Sequence, residues 1–321
     1  MFVDFCMFPD LQMRPPVFDQ DFPRPAIVGI TASPPIPGQF STVETITNEV
    51  SKTVSVLENQ PDVVVIRNIG DLDSLGNRIG VILGLQLPPF DATLDNIREL
   101  RRMGILSCTV AYKDEENPYG GGYMTDRPLT KEGLKFLRNL AATGIIADLS
   151  HACHRTAHDI IKFTQKQPGL HVMASHGGAY SVYDNPRNLP DDILAGIAEH
   201  GGIVGLYGLT FGLDSADCSF SPWIHHLDRM IEVCDIFHVA LGTDGIYRQI
   251  PEDVAQAHFE RMQRFAPNDP RWPIYLPTEP VVLNTPHKAE VIETKLCDLL
   301  NDDADAILAK NGLRFLREVL K

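Results

Sequence analysis

His151 closes the apolar run GIIADLSH, His176 closes the run HVMASH, and Asp244 follows a third run, VALGT. Neutral imidazole nitrogens and a carboxylate are donors that zinc accepts, and three of them with an open fourth position make a hydrolytic centre. A polar residue at a strand end also caps loops or bonds backbone amides, so either histidine alone says little. Their recurrence on consecutive runs is what points to a metal. The first half of the chain is different in kind, because residues 1–150 contain no histidine.

Donors at run ends need elements that bring those ends together. Short β-rich apolar runs recur at Phe2–Phe5, Ala26–Ile30, Ile79–Leu85, Leu106–Ala111, Ile145–Leu149, Val172–Ser175, Ile203–Tyr207 and Val239–Gly242. Helical patterns lie between them, at Thr42–Leu57, Leu94–Met103, Lys131–Ala142, Arg155–Thr164, Asp191–Glu199 and Ile224–Cys234. Runs buried on both faces and alternating with helices are the signature of parallel strands under crossover helices. Eight of them predict an α/β fold of the (β/α)8 TIM-barrel type, whose chemistry sits where strands end. A further run, Val63–Ile66, exceeds that count and is expected outside the ring. The Pro-rich stretches Phe22–Pro37 and Pro267–Pro286 read as surface excursions. The expectation is one domain over residues 1–321, a barrel with a C-terminal helix.

Composition bounds the partners. The chain has 321 residues, 44% hydrophobic, with 28 Lys and Arg against 42 Asp and Glu, a formal charge of −14. With no basic block to neutralise phosphates, nucleic acid is excluded as a partner. No apolar run approaches the roughly 18 residues that span a bilayer, and MFVDFCMFPD is acidic where an export signal is basic. The expectation is therefore a cytoplasmic protein without a membrane partner. The six cysteines show no CxxC spacing and read as free thiols.

The text IIADLSH, then ASHGGAYSV, then RNLPDD resembles the membrane (renal) dipeptidase family, (β/α)8 metallopeptidases of the amidohydrolase-like kind. LGTDG at Leu241–Gly245 and NGLRFLREVL at Asn311–Leu320 extend the likeness. It covers nearly the whole chain and is strongest after about residue 140. The resemblance implies a zinc-dependent hydrolase whose members hold two ions about 3.5–4 Å apart. His151 and His176 match the two histidines of one ion, and Asp244 matches the aspartate that moves protons. Arg187 matches the arginine that binds the substrate carboxylate, a task suited to a planar, permanently charged fork. The implied ligand is a dipeptide or small molecule with a free carboxylate, and the family implies a homodimer.

The first half departs from that pattern. Where the family opens on Asp-x-His-x-Asp, this chain reads VDFCMF, placing Cys6 and Phe8 at the ligand positions, or Phe5 and Met7 in the alternative register. Gln86 stands for the bridging glutamate and Tyr112 for a substrate-binding histidine. Losing two anions leaves two dications uncompensated, so a binuclear centre is not expected and at most one zinc ion is. Two readings follow: a mononuclear hydrolase anchored by Arg187, or a non-catalytic relative that keeps the pocket to bind a small carboxylate. Elsewhere, His154 and His158 lie four apart on a helix without the glutamate of a metalloprotease motif and read as surface or packing residues. His225 and His226 diverge on their helix, Tyr119–Tyr123 (YGGGY) reads as a flexible loop over the pocket, and Tyr112, Lys113 and Asp114 are expected to shape access to it.

Overall fold

The structure, a computed structural model, describes residues 1–8, 16–18, 22–24, 26–32, 42–112, 117–214, 219–247 and 285–321, with isolated positions between 251 and 283. Nine strands form: β1 Phe2–Asp4, β2 Ala26–Thr31, β3 Val63–Val65, β4 Ile79–Leu85, β5 Ile105–Thr109, β6 Ile146–Asp148, β7 Val172–Gly177, β8 Val204–Leu206 and β9 Val239–Leu241. All pair in parallel, and the ring closes as β1–β2–β4–β5–β6–β7–β8–β9 with β9 returning to β1. This is the expected eight-stranded TIM barrel. β3 pairs with β4 only as far as Val65↔Val81, and β5 takes over that edge from Leu83, so β3 lies outside the ring. The middle of the Phe22–Pro37 stretch is buried β2 and no surface excursion; residues 33–37 and 267–282 lie outside the described residues.

The helices are α1 Val43–Glu58, α2 Ile69–Asp73, α3 Leu94–Met103, α4 Lys131–Thr143, α5 His154–Thr164, α6 Asp191–Glu199, α7 Thr210–Leu213, α8 Ser221–Cys234, α9 Lys288–Leu300 and α10 Asn311–Val319. Local chemistry sets their ends. Thr93 and Thr130 accept the N–H groups of Asn96 and Gly133 at the starts of α3 and α4, and Gly104 and Gly144 end the same helices in the left-handed conformation. One stripe of each covering helix faces the strands: Ile46, Val50 and Leu57 of α1, Phe136, Leu137 and Leu140 of α4, Ile193, Leu194 and Ile197 of α6. Each such side chain contributes about 1.5–3 kcal/mol on burial.

A separate inner core fills the ring. Val3, Phe5, Ile27, Ile82, Leu106, Ile146, Met173, Ile203 and Ala240 come from or border the eight ring strands and meet Phe315, Leu316, Val319 and Leu320 of α10. Asn311 Nδ2 donates to the carbonyls of Ile236 and Val239 at the entry to β9, and Arg314 donates to that of Phe237. The terminal helix therefore stoppers the N-terminal end of the barrel, leaving the C-terminal end for chemistry. Replacing Asn311 by Ala is expected to lower stability by about 2 kcal/mol, because two carbonyls lose their partner. The check is a lower urea midpoint at an unchanged m value. Among the described residues no helix is long and apolar enough to cross a membrane.

Candidate active site

The barrel geometry gathers the three predicted donors at the C-terminal mouth. His151 and His176 approach to 2.9 Å between their Nε2 atoms, and His176 Nε2 lies 3.9 Å from Asp244 Oδ2. His151 (φ 69°) and Asp244 (φ 51°) both sit in the left-handed region, two of the four non-glycine residues described there. Strain held at residues that point into a cleft is a mark of function.

Along VDFCMF, Phe5 and Met7 turn to the cores and Cys6 to the mouth. Phe5 turns into the inner core, its ring 6.2 Å from that of Phe315, and Met7 joins the outer core. Cys6 faces the mouth: its thiol donates to Asp244 Oδ1 at 3.5 Å, and Gln86 Nε2 donates to Cys6 Sγ at 3.8 Å. Phe8 is half-buried and donates its N–H to the Gly245 carbonyl. Burial, then the charge of Asp244, pushes the Cys6 thiol well above its ordinary range, so it is protonated as it stands. Cys6, His176 and Asp244 form a group whose ligand atoms all lie within 4.8 Å of one another; His151 reaches that group through His176.

Two buried carboxylates absent from the sequence expectations hold these donors. Asp148 Oδ1 accepts the N–H groups of Ser150 and Ser175, both at 3.0 Å, and its Oδ2 accepts the Ser175 hydroxyl. Asp4 repeats the device: Oδ1 accepts from Cys6 N and Thr243 N, and Oδ2 accepts from Thr243 Oγ1 and Tyr247 OH. Asp148 thus ties β6 to β7 beneath His151 and His176, and Asp4 ties β1 to β9 beneath Cys6 and Asp244. Burial raises both carboxyls, opposed by these hydrogen bonds. Their sequence signal was a lone acid inside an apolar run, in FVDFC and IIADLS.

The Asp148 network also sets the His176 tautomer. With Asp148 ionised, the single Ser175 hydroxyl proton points at it, so the 2.8 Å contact between Ser175 Oγ and His176 Nδ1 requires the proton on Nδ1. Nε2 is left with its lone pair facing the mouth, the form a metal takes. Burial, then Arg187, drives the His176 pKa well down, which keeps the ring neutral.

Arg187 is 4% exposed, and among the described residues its Nε and Nη1 have no hydrogen-bond partner. Its guanidinium lies 5.3 Å from the centre of the Tyr123 ring, and His151 leans on the same ring at 5.9 Å. Tyr112 stacks on His151, at 4.1 Å and 22°. The loop carrying Arg187 is fixed by Asn188, which donates to the carbonyls of Tyr183 and Gly212 and accepts from the Tyr207 hydroxyl. A small pocket beside Cys6 is lined in part by Gln86, Ser107, Asp148 and Ser175.

The other histidines take packing or surface places. His154 bonds the Asn188 carbonyl, His158 pairs with Asp192, and buried His226 bridges Ala179 N to Leu213 O while His225 is exposed. Tyr119–Tyr123 is not a flexible loop. Tyr119 and Tyr123 are buried, Gly121 N donates to Thr156 Oγ1, and Gly121 O accepts from Cys153 N. A Cβ on Gly121 would lie 2.4 Å from the Thr125 carbonyl, so close approach explains this glycine. Lys113 and Asp114 lie outside the described residues. Cys6, Cys108, Cys153, Cys234 and Cys297 are free thiols.

A family model described as membrane dipeptidase (peptidase family M19) matches residues 29–258. An uncharacterized dipeptidase of Schizosaccharomyces pombe is 29% identical over 177 residues, 52% of this chain and 41% of its own, so the chain spans about two fifths of that relative's length. Among solved structures, an amidohydrolase from Pseudomonas aeruginosa superposes with a TM-score of 0.76 at 20% identity, over 92% of this chain and 89% of that one. A metallopeptidase from Rhodobacter sphaeroides, liganded with a phosphinate mimic of the dipeptide L-Ala-D-Ala, gives 0.68 at 18% identity over 92% and 86%.

Proposed function

Since this chain belongs to the membrane dipeptidase family, we propose that it is a metal-dependent hydrolase of dipeptides or small amides bearing a free carboxylate, working with at most one ion. The observation that carries the reading is Arg187: a buried guanidinium with two nitrogens unpartnered among the described residues, beside the neutral His176 ring, is poised for an anion. The donor chemistry fits one ion and not two. His176 presents a lone pair and Asp244 an anion, whereas Gln86 brings an amide and Phe8 no donor to the positions where a second ion needs charge.

A bound zinc ion would supply Lewis-acid chemistry, activating water and polarising the scissile carbonyl. The protein's own residues do the rest. Arg187 receives the substrate carboxylate and fixes which amide faces the histidines. Asp244 lies within reach of His176 and carries a proton from the attacking water to the leaving amine. Tyr112 and Tyr123 pack against His151, keep its ring in place and wall the substrate away from solvent.

A second reading, a binding protein for small carboxylates, is favoured by the neutral Gln86–Cys6 contact at the place of two family anions. The deciding experiment is turnover of a dipeptide panel, each member beside its C-terminal amide, with zinc supplied. Hydrolysis of the free dipeptides much faster than of their amides supports the enzyme. Saturable binding of the free dipeptides without turnover supports the binding protein.

Gln86→Glu alone is expected to bring no gain in activity and no second bound ion. The new carboxylate would meet Cys6 in a pocket that already holds Asp148, and no second set of donors is gained. The check is metal content with steady-state rates. A second bound equivalent with a large gain in dipeptidase rate would contradict the Cys6 register.

A further inference from the structure

We infer that Cys6 is a metal ligand: its thiolate, His176 Nε2 and an Asp244 oxygen form a three-donor site for one soft divalent ion, with a fourth position for water or substrate. This deepens the mononuclear reading above and rests on it. Tetrahedral zinc with one sulfur and two lighter donors spaces those donors about 3.3–3.7 Å apart. Cys6 Sγ and Asp244 Oδ1 stand at 3.5 Å, His176 Nε2 and Asp244 Oδ2 at 3.9 Å, and all three residues offer an atom within 4.8 Å of the others. Small side-chain rotations bring these onto one ion.

Independent features support the assignment. The tautomer imposed by Ser175 and Asp148 turns the His176 lone pair toward the group. Asp4 fixes both the Cys6 and Thr243 backbones, so β1 and β9 deliver thiol and carboxylate in register. Gln86 Nε2 donates to the sulfur, as outer groups do for metal thiolates. A cysteine kept only for packing would not be held between an amide donor and a carboxylate. Binding exchanges a sulfur–hydrogen bond for a sulfur–metal bond, and the displaced proton leaves to the buffer. A thiolate also selects the ion, favouring zinc and cobalt over magnesium and manganese.

The test is titration of the metal-free full chain with cobalt(II) alone, watched in the near ultraviolet, where sulfur-to-cobalt charge transfer absorbs strongly. One equivalent should bind with that band, and excess magnesium should not displace it. Cys6→Ser should lose the band and bind about tenfold more weakly, while Cys6→His should regain affinity without it. Near-ultraviolet circular dichroism confirms that each variant is folded. Cobalt bound without the band in the parent chain, or a band that survives in Cys6→Ser, overturns the thiolate ligand and leaves the mononuclear reading standing. No cobalt bound at all overturns both.

Discussion

Arg187→Met is expected to lower kcat/KM for a free dipeptide by about 100- to 1000-fold and to leave the rate on the matching C-terminal amide unchanged. The guanidinium offers Nε and Nη1 in a buried setting, without partners among the described residues. Charge-assisted bonds there are worth about 1.5–3 kcal/mol each, and tenfold in rate corresponds to about 1.4 kcal/mol. The same substitution should raise the melting temperature of the unliganded protein. A buried cation with unsatisfied donors costs free energy that the Tyr123 ring only partly offsets, and Met fills similar volume without that cost. Opposite signs in activity and stability are what a site held ready for a ligand produces. Equal losses on acid and amide substrates would sink the assignment of Arg187 to the carboxylate.

Asp148→Asn is expected to weaken metal binding by about 100-fold with the fold retained. Asparagine keeps one oxygen for the Ser150 and Ser175 amides, but its nitrogen now donates where Oδ2 accepted the Ser175 hydroxyl. Ser175 must then turn its proton to His176 Nδ1, which moves the imidazole proton to Nε2 and removes the lone pair from the mouth. The effect is chemical, and nitrogen chemical shifts of the His176 ring read it directly. Asp148→Ala makes the contrast: it strands two buried amides and should cost about 2–4 kcal/mol of stability. Unchanged zinc affinity in Asp148→Asn would show that Ser175 does not set the tautomer.

All eight ring strands were legible because each is buried on both faces and reads as an unbroken apolar run. β3 looked the same in sequence but pairs on one edge only, a distinction made by partners and not by composition. The positions of His151, His176 and Asp244 followed from strand ends alone. The supports beneath them did not, because Asp4 and Asp148 acquire meaning only from amides and hydroxyls brought from other strands. Tyr119–Tyr123 misled for a related reason: three glycines suggest freedom when read in isolation, and here Gly120 and Gly121 answer to crowding by Thr156 and Thr125. The register of Cys6 needed the destination of its neighbour, since only the seating of Phe5 against Phe315 decides which residue turns to the mouth.

Asp4 has a bearing on timing. β1 and β9 share a single ladder pair, Asp4↔Leu241, and the side-chain bonds of Asp4 to Thr243 span 239 residues. The Asp148 link between β6 and β7 spans 27. Closing a longer loop costs more chain entropy, so the joint between β1 and β9 is expected to form after its local counterparts. On that order the two imidazoles meet while thiol and carboxylate are still apart, and the complete donor set exists only once the ring has shut.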